Sequence, residues 1–203
     1  TWAGNVHGFY TVDETKHLWS TRTEEFTHFL HKGEDSWPNH NMVDDFGITR
    51  DLREILCELK VITNYLASVH LVALGEAWTV AKKSNLDLTK AFKGIAVSSG
   101  NSFVHETESQ VILNGSYNIN FTMDLVLKDT GLFDDLAKKL NASLEISPKI
   151  VEIFRDGQKK YGSRAWSSMI VKRMEDLNKI DFRADGFPEE LVDNELEEKG
   201  YEI

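Results

Sequence analysis

The 203-residue chain holds one cysteine, Cys57, and three prolines, and no two of its 13 glycines are separated by a single residue. A lone cysteine excludes an intrachain disulfide and a thiolate metal cage, and nothing argues for an oxidising compartment. With no histidine close behind it, Cys57 reads as a small buried residue rather than a nucleophile. Apolar stretches stop well short of the ~18 residues a membrane-spanning helix needs, so no membrane partner is expected. Basic clusters are missing as well: 23 Lys and Arg stand against 33 Asp and Glu, a net charge of -10. Phosphate tracking needs local positive potential, so nucleic acid is not an expected partner. Over residues 181–203 nine acids face only Arg183 and Lys199, which repels nucleic acid and anionic membrane alike. No basic-then-apolar leader is present, so a cytoplasmic location is expected and the sequons at Asn114, Asn120 and Asn141 read as chance. The chain starts at Thr1 without methionine, which is open to processing or truncation.

What the chain does have is 41% hydrophobic and 28% charged residues. That is the profile of a soluble globular protein with a real core, at a length suited to one domain with an appendage. Residues 1–49 are rich in Trp, His, Thr and acid, are broken by Gly4, Gly8, Gly33, Pro38 and Gly47, and show no sustained period. They read as an irregular appendage with one short helix near 24–31. From residue 50 the texture changes. With Thr49 as N-cap, Leu52, Ile55, Leu56, Leu59, Ile62, Leu66, Val69, Ala73, Ala77 and Val80 recur at spacings of three and four, which predicts one long helix to about Lys83. Further helices are expected over 89–97 capped by Thr89, 102–113 capped by Ser102, 123–140, 148–160 capped by Ser147, and 167–177. The expected fold is therefore all-α, with a helical domain over 50–180 and an acidic tail over 181–203.

On the long helix Lys60 and Asn64 stand four residues apart, so they share one face and can together grip an oxygen of a ligand. A lysine in a mostly apolar stretch is readily desolvated, which favours its neutral form and suits it to proton transfer. The plainer alternative is a surface lysine whose stem covers apolar area while its ammonium reaches water. Lys128 and Asp129 lie amid Leu125, Val126, Leu127, Leu132 and Phe133. Adjacent residues do not face each other on a helix, so each charge needs a partner on another helix or a ligand, unless both are simply solvated. Residues 98–102, Ser-Ser-Gly-Asn-Ser, either offer backbone N–H groups to an anion or merely end one helix and start the next. His28, His31 and His40 with Glu24 match no closed metal-site spacing, and His70 and His105 lack the acidic neighbours of a zinc hydrolase helix, so no metal is expected.

Taken in order, four stretches resemble the C-terminal helical domain of the β-hydroxyacid dehydrogenase family, nearest its 3-hydroxyisobutyrate dehydrogenase-like branch. They are Leu-Lys-Val-Ile-Thr-Asn-Tyr at 59–65, Leu-Gly-Glu-Ala at 74–77, the 98–102 turn, and Phe121 through Lys128-Asp129. The resemblance covers about residues 59–177. It implies a 6-phosphogluconate dehydrogenase C-terminal-like domain built on one long helix. Lys60 falls on the family's catalytic Lys-x-x-x-Asn lysine, which implies that it gives a proton to the substrate's carbonyl oxygen as hydride reaches carbon, or takes one during oxidation. Asn64 falls on the asparagine that helps hold the substrate's oxygens. Phe121, Lys128 and Asp129 match residues beside the nicotinamide end of the cofactor. The resemblance therefore implies NAD or NADP, a small hydroxy-carboxylate substrate, and a homo-oligomer, since the family's helical domain builds much of its subunit interface.

The family's first half is a Rossmann domain with a Gly-x-Gly-x-x-Gly turn and a Ser-Gly-Gly substrate loop, and neither occurs here. Residues 1–58 match nothing in that family, and 51–58 replace its glycine-rich approach to the lysine, so the long helix is expected to begin earlier. One expectation is the helical half of an NAD(P)-dependent 3-hydroxyacid dehydrogenase, on a truncated or split chain, with activity dependent on a partner that supplies the Rossmann domain. The other is a non-catalytic helical dimerisation module derived from that family.

Overall fold

A computed structural model describes residues 41–43 and 49–191, with side chains from residue 57 onward. The chain divides into two compact units, residues 1–60 with 192–203 and residues 61–191. The short helix expected near 24–31 lies outside the described residues.

In the first unit, β1 (Asn41–Val43) pairs antiparallel with β2 (Thr49–Asp51) in the register Asn41↔Asp51, Met42↔Arg50 and Val43↔Thr49. Helix α1 (Leu52–Lys83) starts directly after β2. Thr49 is therefore not its cap, as the apolar spacing suggested: ladder pairing with β1 takes the backbone of 49–51 out of the helical first turn. The appendage is likewise not wholly irregular, since β1 lies within it.

The second unit is all-α. Beyond the first turns of α1 it consists of α2 (Leu88–Ala96), α3 (Phe103–Asn114), α4 (Met123–Lys139), α5 (Ser147–Tyr161) and α6 (Met169–Asn178). Along α1, Leu71, Leu74, Trp78 and Ala81 recur at three and four residues and face the core, where they meet Val104, Ile112, Met123, Phe154 and Val171. Each large apolar side chain buried there contributes about 1.5–3 kcal/mol relative to exposure. Gly157 lets α5 approach α6 closely, because a Cβ at that position would stand 2.6 Å from Ile170 Cδ1.

Side-chain caps decide where α2 and α3 begin. Ser102 caps α3 as expected, accepting from the His105 N–H at 3.0 Å. Helix α2 is capped by Asp87 and not by Thr89: the Asp87 carboxylate accepts from the Lys90 N–H at 3.1 Å, which starts the helix one residue early. Ser147 is not the cap of α5 either, but its first helical residue, with its hydroxyl donating to Asp134 Oδ1 at 2.5 Å. Helix α3 ends at Gly115, whose φ of 96° suits glycine.

Residues 181–191, expected to open an acidic tail, belong to the helical unit. Phe182 is fully buried in the core, and its N–H donates to Glu175 Oε1 at 2.7 Å. Arg183 donates to that same oxygen at 2.9 Å and to Tyr117 Oη at 3.1 Å, while the Tyr117 hydroxyl donates to Glu175 Oε2. Glu175 itself is only 2% exposed. Its charge is tolerated because every oxygen is engaged by a donor.

Candidate functional site

Asn64 is half-buried on α1, and its side chain reaches across to α4, donating from Nδ2 to Asp129 Oδ2 at 2.7 Å. The next residue strengthens the same crossing: Tyr65 stacks on Phe133 with ring centroids 3.9 Å apart and planes 5° from parallel. Burial and the negative charge of Asp134 raise the Tyr65 hydroxyl above its ordinary pKa, so it stays protonated. Within α1, the Asn64 carbonyl accepts from the Ser68 hydroxyl at 2.9 Å.

Asp129 is 9% exposed, so the solvated alternative does not hold for it. It has found the partner on another helix that its setting demanded. Against expectation, it also pairs with its neighbour, Lys128 Nζ lying 3.5 Å from Asp129 Oδ1. The long lysine stem lets the ammonium swing back past its own turn, a reach that Cβ directions alone do not capture. The Lys128 side chain keeps 58% of its surface exposed and remains open to a further oxygen ligand. Phe121, seven residues earlier, is half-buried in the turn leading to α4 and packs on the core; its carbonyl accepts from the Ser167 N–H at 2.7 Å.

Lys60 is the last residue of the first unit, lies on α1, and is 9% exposed. Cys57 is exposed and not buried as its residue type suggested. The structure thus brings together Asn64, Lys128 and Asp129 in side-chain contact.

Other candidates are spent on structure. In the 98–102 turn, the Gly100 N–H donates to Ser98 Oγ at 3.2 Å and the Asn101 N–H to the Ser98 carbonyl at 3.1 Å, so a helix stop and restart accounts for the segment. His105 is fully buried between the Phe92 carbonyl at 2.9 Å and Ser109 Oγ at 3.2 Å, and Trp78 Nε1 donates to the same Ser109 oxygen at 3.3 Å. His70 is exposed, while His28, His31 and His40 lie outside the described residues. Among the described residues no three His, Cys, Asp or Glu side chains are grouped to hold a metal ion, and no helix is long and apolar enough to cross a membrane. Sequence reasoning missed the Asn64–Asp129 bond itself. Its only trace is a polar residue on an apolar helix face and an acid inside an apolar run, 65 residues apart.

Fold and site together define an all-α domain organised on one 32-residue helix. The chain belongs to the family of the NAD-binding domain of NADP-dependent 3-hydroxyisobutyrate dehydrogenase, whose model matches residues 58–174. The cofactor class that goes with this family is NAD or NADP. L-threonate dehydrogenase of Haemophilus influenzae is 28% identical over 114 residues, 56% of this chain and 38% of that protein, and its Escherichia coli K12 counterpart matches to the same extent. The crystal structure of 3-hydroxyisobutyrate dehydrogenase from Salmonella typhimurium gives a TM-score of 0.53 at 27% identity, covering 57% of this chain and 40% of that one. The Mycobacterium tuberculosis 3-hydroxyisobutyrate dehydrogenase, at 22% identity and TM-score 0.52, shares the fold. The match therefore spans well under half the length of these relatives.

Proposed function

We propose that this chain supplies the helical part of an NAD(P)-dependent dehydrogenase acting on a short hydroxy acid, such as 3-hydroxyisobutyrate or L-threonate. The observation that carries the reading is the 2.7 Å bond from Asn64 to Asp129, which joins the Lys-x-x-x-Asn helix to the Lys-Asp helix. Lys60 is the acid/base group: its Nζ gives a proton to the substrate's carbonyl oxygen in reduction and takes the hydroxyl proton in oxidation. Asn64, one turn away, holds the substrate's oxygens. Phe121, Lys128 and Asp129 border the nicotinamide end of the cofactor, which when bound supplies or accepts the hydride.

The donor set of the described residues fits that end of a dinucleotide, an exposed ammonium at Lys128 being suited to a carboxamide or phosphate oxygen. It does not extend to a pyrophosphate cradle, because no Gly-x-Gly occurs in the sequence. Turnover therefore requires a nucleotide-binding part beyond the matched segment, in the same protein or a partner. Calorimetric titration with NADH and NADPH, with and without 3-hydroxyisobutyrate, tests the cofactor reading: saturable binding that Lys128→Ala abolishes supports it, and binding indifferent to that substitution overturns it. In the active assembly Lys60→Ala is expected to lower turnover about 100-fold or more. Unchanged turnover removes the acid/base role.

A second reading, a helical dimerisation module without chemistry, is favoured by one feature. Ile62, Leu66 and Val80 on α1 are 39%, 45% and 65% exposed, an apolar stripe that suits a homo-oligomer contact. Under it, Lys60→Ala leaves self-association intact and there is no turnover to lose.

A further inference from the structure

We infer that Asp129 is a positioning residue that fixes the amide of Asn64 in one of its two orientations and thereby sets which atoms of Asn64 a ligand meets. The inference rests on the reading that Asn64 holds the substrate's oxygens. A side-chain amide can rotate by half a turn and exchange its oxygen for its NH2 with little change in shape. Asp129 removes that freedom. An ionised carboxylate only accepts hydrogen bonds, so the atom 2.7 Å from Asp129 Oδ2 has to be Asn64 Nδ2. The flipped amide would set Asn64 Oδ1 against a carboxylate oxygen, two acceptors at hydrogen-bond distance. At 9% exposure Asp129 has little water to relieve that repulsion. Its other oxygen is engaged as well, by Lys128 at 3.5 Å, so the carboxylate is itself held on both sides.

One N–H of Asn64 is thus consumed within the protein, leaving one N–H donor and the Oδ1 acceptor for a ligand. That pair matches a hydroxy acid, whose hydroxyl donates and whose carboxylate accepts. Asp129 acts through Asn64 and needs no contact with the substrate.

The informative substitution is Asp129→Asn, which keeps size and hydrogen-bonding capacity but lets the facing amides pair in either sense. Electrostatics alone says that removing a negative charge strengthens binding of an anion. Loss of positioning says the opposite, and the sign of the effect separates the two. In the full chain, 15N relaxation of the Asn64 side-chain NH2 reads the amide's order without ligand, and calorimetry with 3-hydroxyisobutyrate reads its use. We expect an ordered Asn64 amide in the unmodified chain and a mobile one in Asp129→Asn. We also expect 3-hydroxyisobutyrate affinity to fall roughly tenfold in both Asp129→Asn and Asn64→Ala. An Asn64 amide equally ordered in Asp129→Asn, or affinity that rises in Asp129→Asn while Asn64→Ala loses it, overturns the inference and leaves the substrate reading standing. Loosening of the amide without saturable 3-hydroxyisobutyrate binding in any variant upholds the positioning and removes the substrate reading. The reciprocal exchange Asn64→Asp with Asp129→Asn restores an amide–carboxylate bond with its ends reversed. It should recover thermal stability but not affinity, and recovered affinity counts against a role for orientation.

Discussion

The Phe92 carbonyl can only accept, so His105 Nε2 carries the proton, Nδ1 accepts from Ser109, and Ser109 Oγ accepts from Trp78. Burial holds the imidazole below its ordinary pKa of 6.5. The unfolded chain therefore takes up the proton first, and the stability of this network, intact above about pH 6.5, declines as pH falls below it. Glu108 has the opposite sign. Its Oε2 is buried without a hydrogen-bond partner, and burial pushes its carboxyl from 4.5 up to about 8. Stability tied to its neutral form is complete below 4.5 and is lost as pH rises toward 8. Thermal melts at pH 5, 6.5 and 8 should show His105→Gln flattening the acid side. Glu108→Gln should gain more than about 1 kcal/mol at pH 8 and little at acid pH. Neither role was legible in the sequence, where His105 is one more histidine and Glu108 one more surface acid; each depends on what the fold packs around it. Lys60, Asn64, Lys128 and Asp129 stood out as charges or an amide inside an apolar helical pattern, which alone favoured plain surface residues; the resemblance of the ordered motifs is what made them site candidates. Their pairing was not legible, since it depends on how α1 crosses α4.

At the level of helices and turns, periodicity located α1 and every later helix, but the boundaries moved wherever a side chain had a better use. Ser147 bonds Asp134 instead of capping, and Asp87 caps in place of Thr89. Local patterns do not record competition between partners distant in sequence. The end of α3 offers a test. A Cβ on Gly115 would meet a φ of 96° and stand 2.3 Å from Arg183 Nε. Gly115→Ala is expected to destabilise the protein by about 2 kcal/mol, read by urea denaturation. Arg183→Met tests the other side of the contact. It strips the guanidinium from Glu175, which is only 2% exposed, and is expected to cost about 3 kcal/mol. Cost near zero in Arg183→Met would mean that Tyr117 and the Phe182 N–H suffice for that carboxylate.

For the molecule as a whole, the stripe of Ile62, Leu66 and Val80 is expected to make the chain sediment as a dimer or larger, and Leu66→Glu to shift it toward monomer in analytical ultracentrifugation. The two-unit division was legible only as a change of texture near residue 50, and the extent of the helical unit was misjudged at its far end. There the acids of 181–203 masked Phe182, whose apolar neighbours Ile180, Ala184 and Phe187 are interleaved with charge and carry no helical period. That plug carries a consequence for biosynthesis. The six helices of the described residues are all made before Phe182 and Arg183 emerge, yet the core they build is closed and its buried carboxylate neutralised by those two residues. A released chain truncated after residue 181 should thus stay protease-sensitive however many helices it holds, and one extended through the described residues to 191 should be protected.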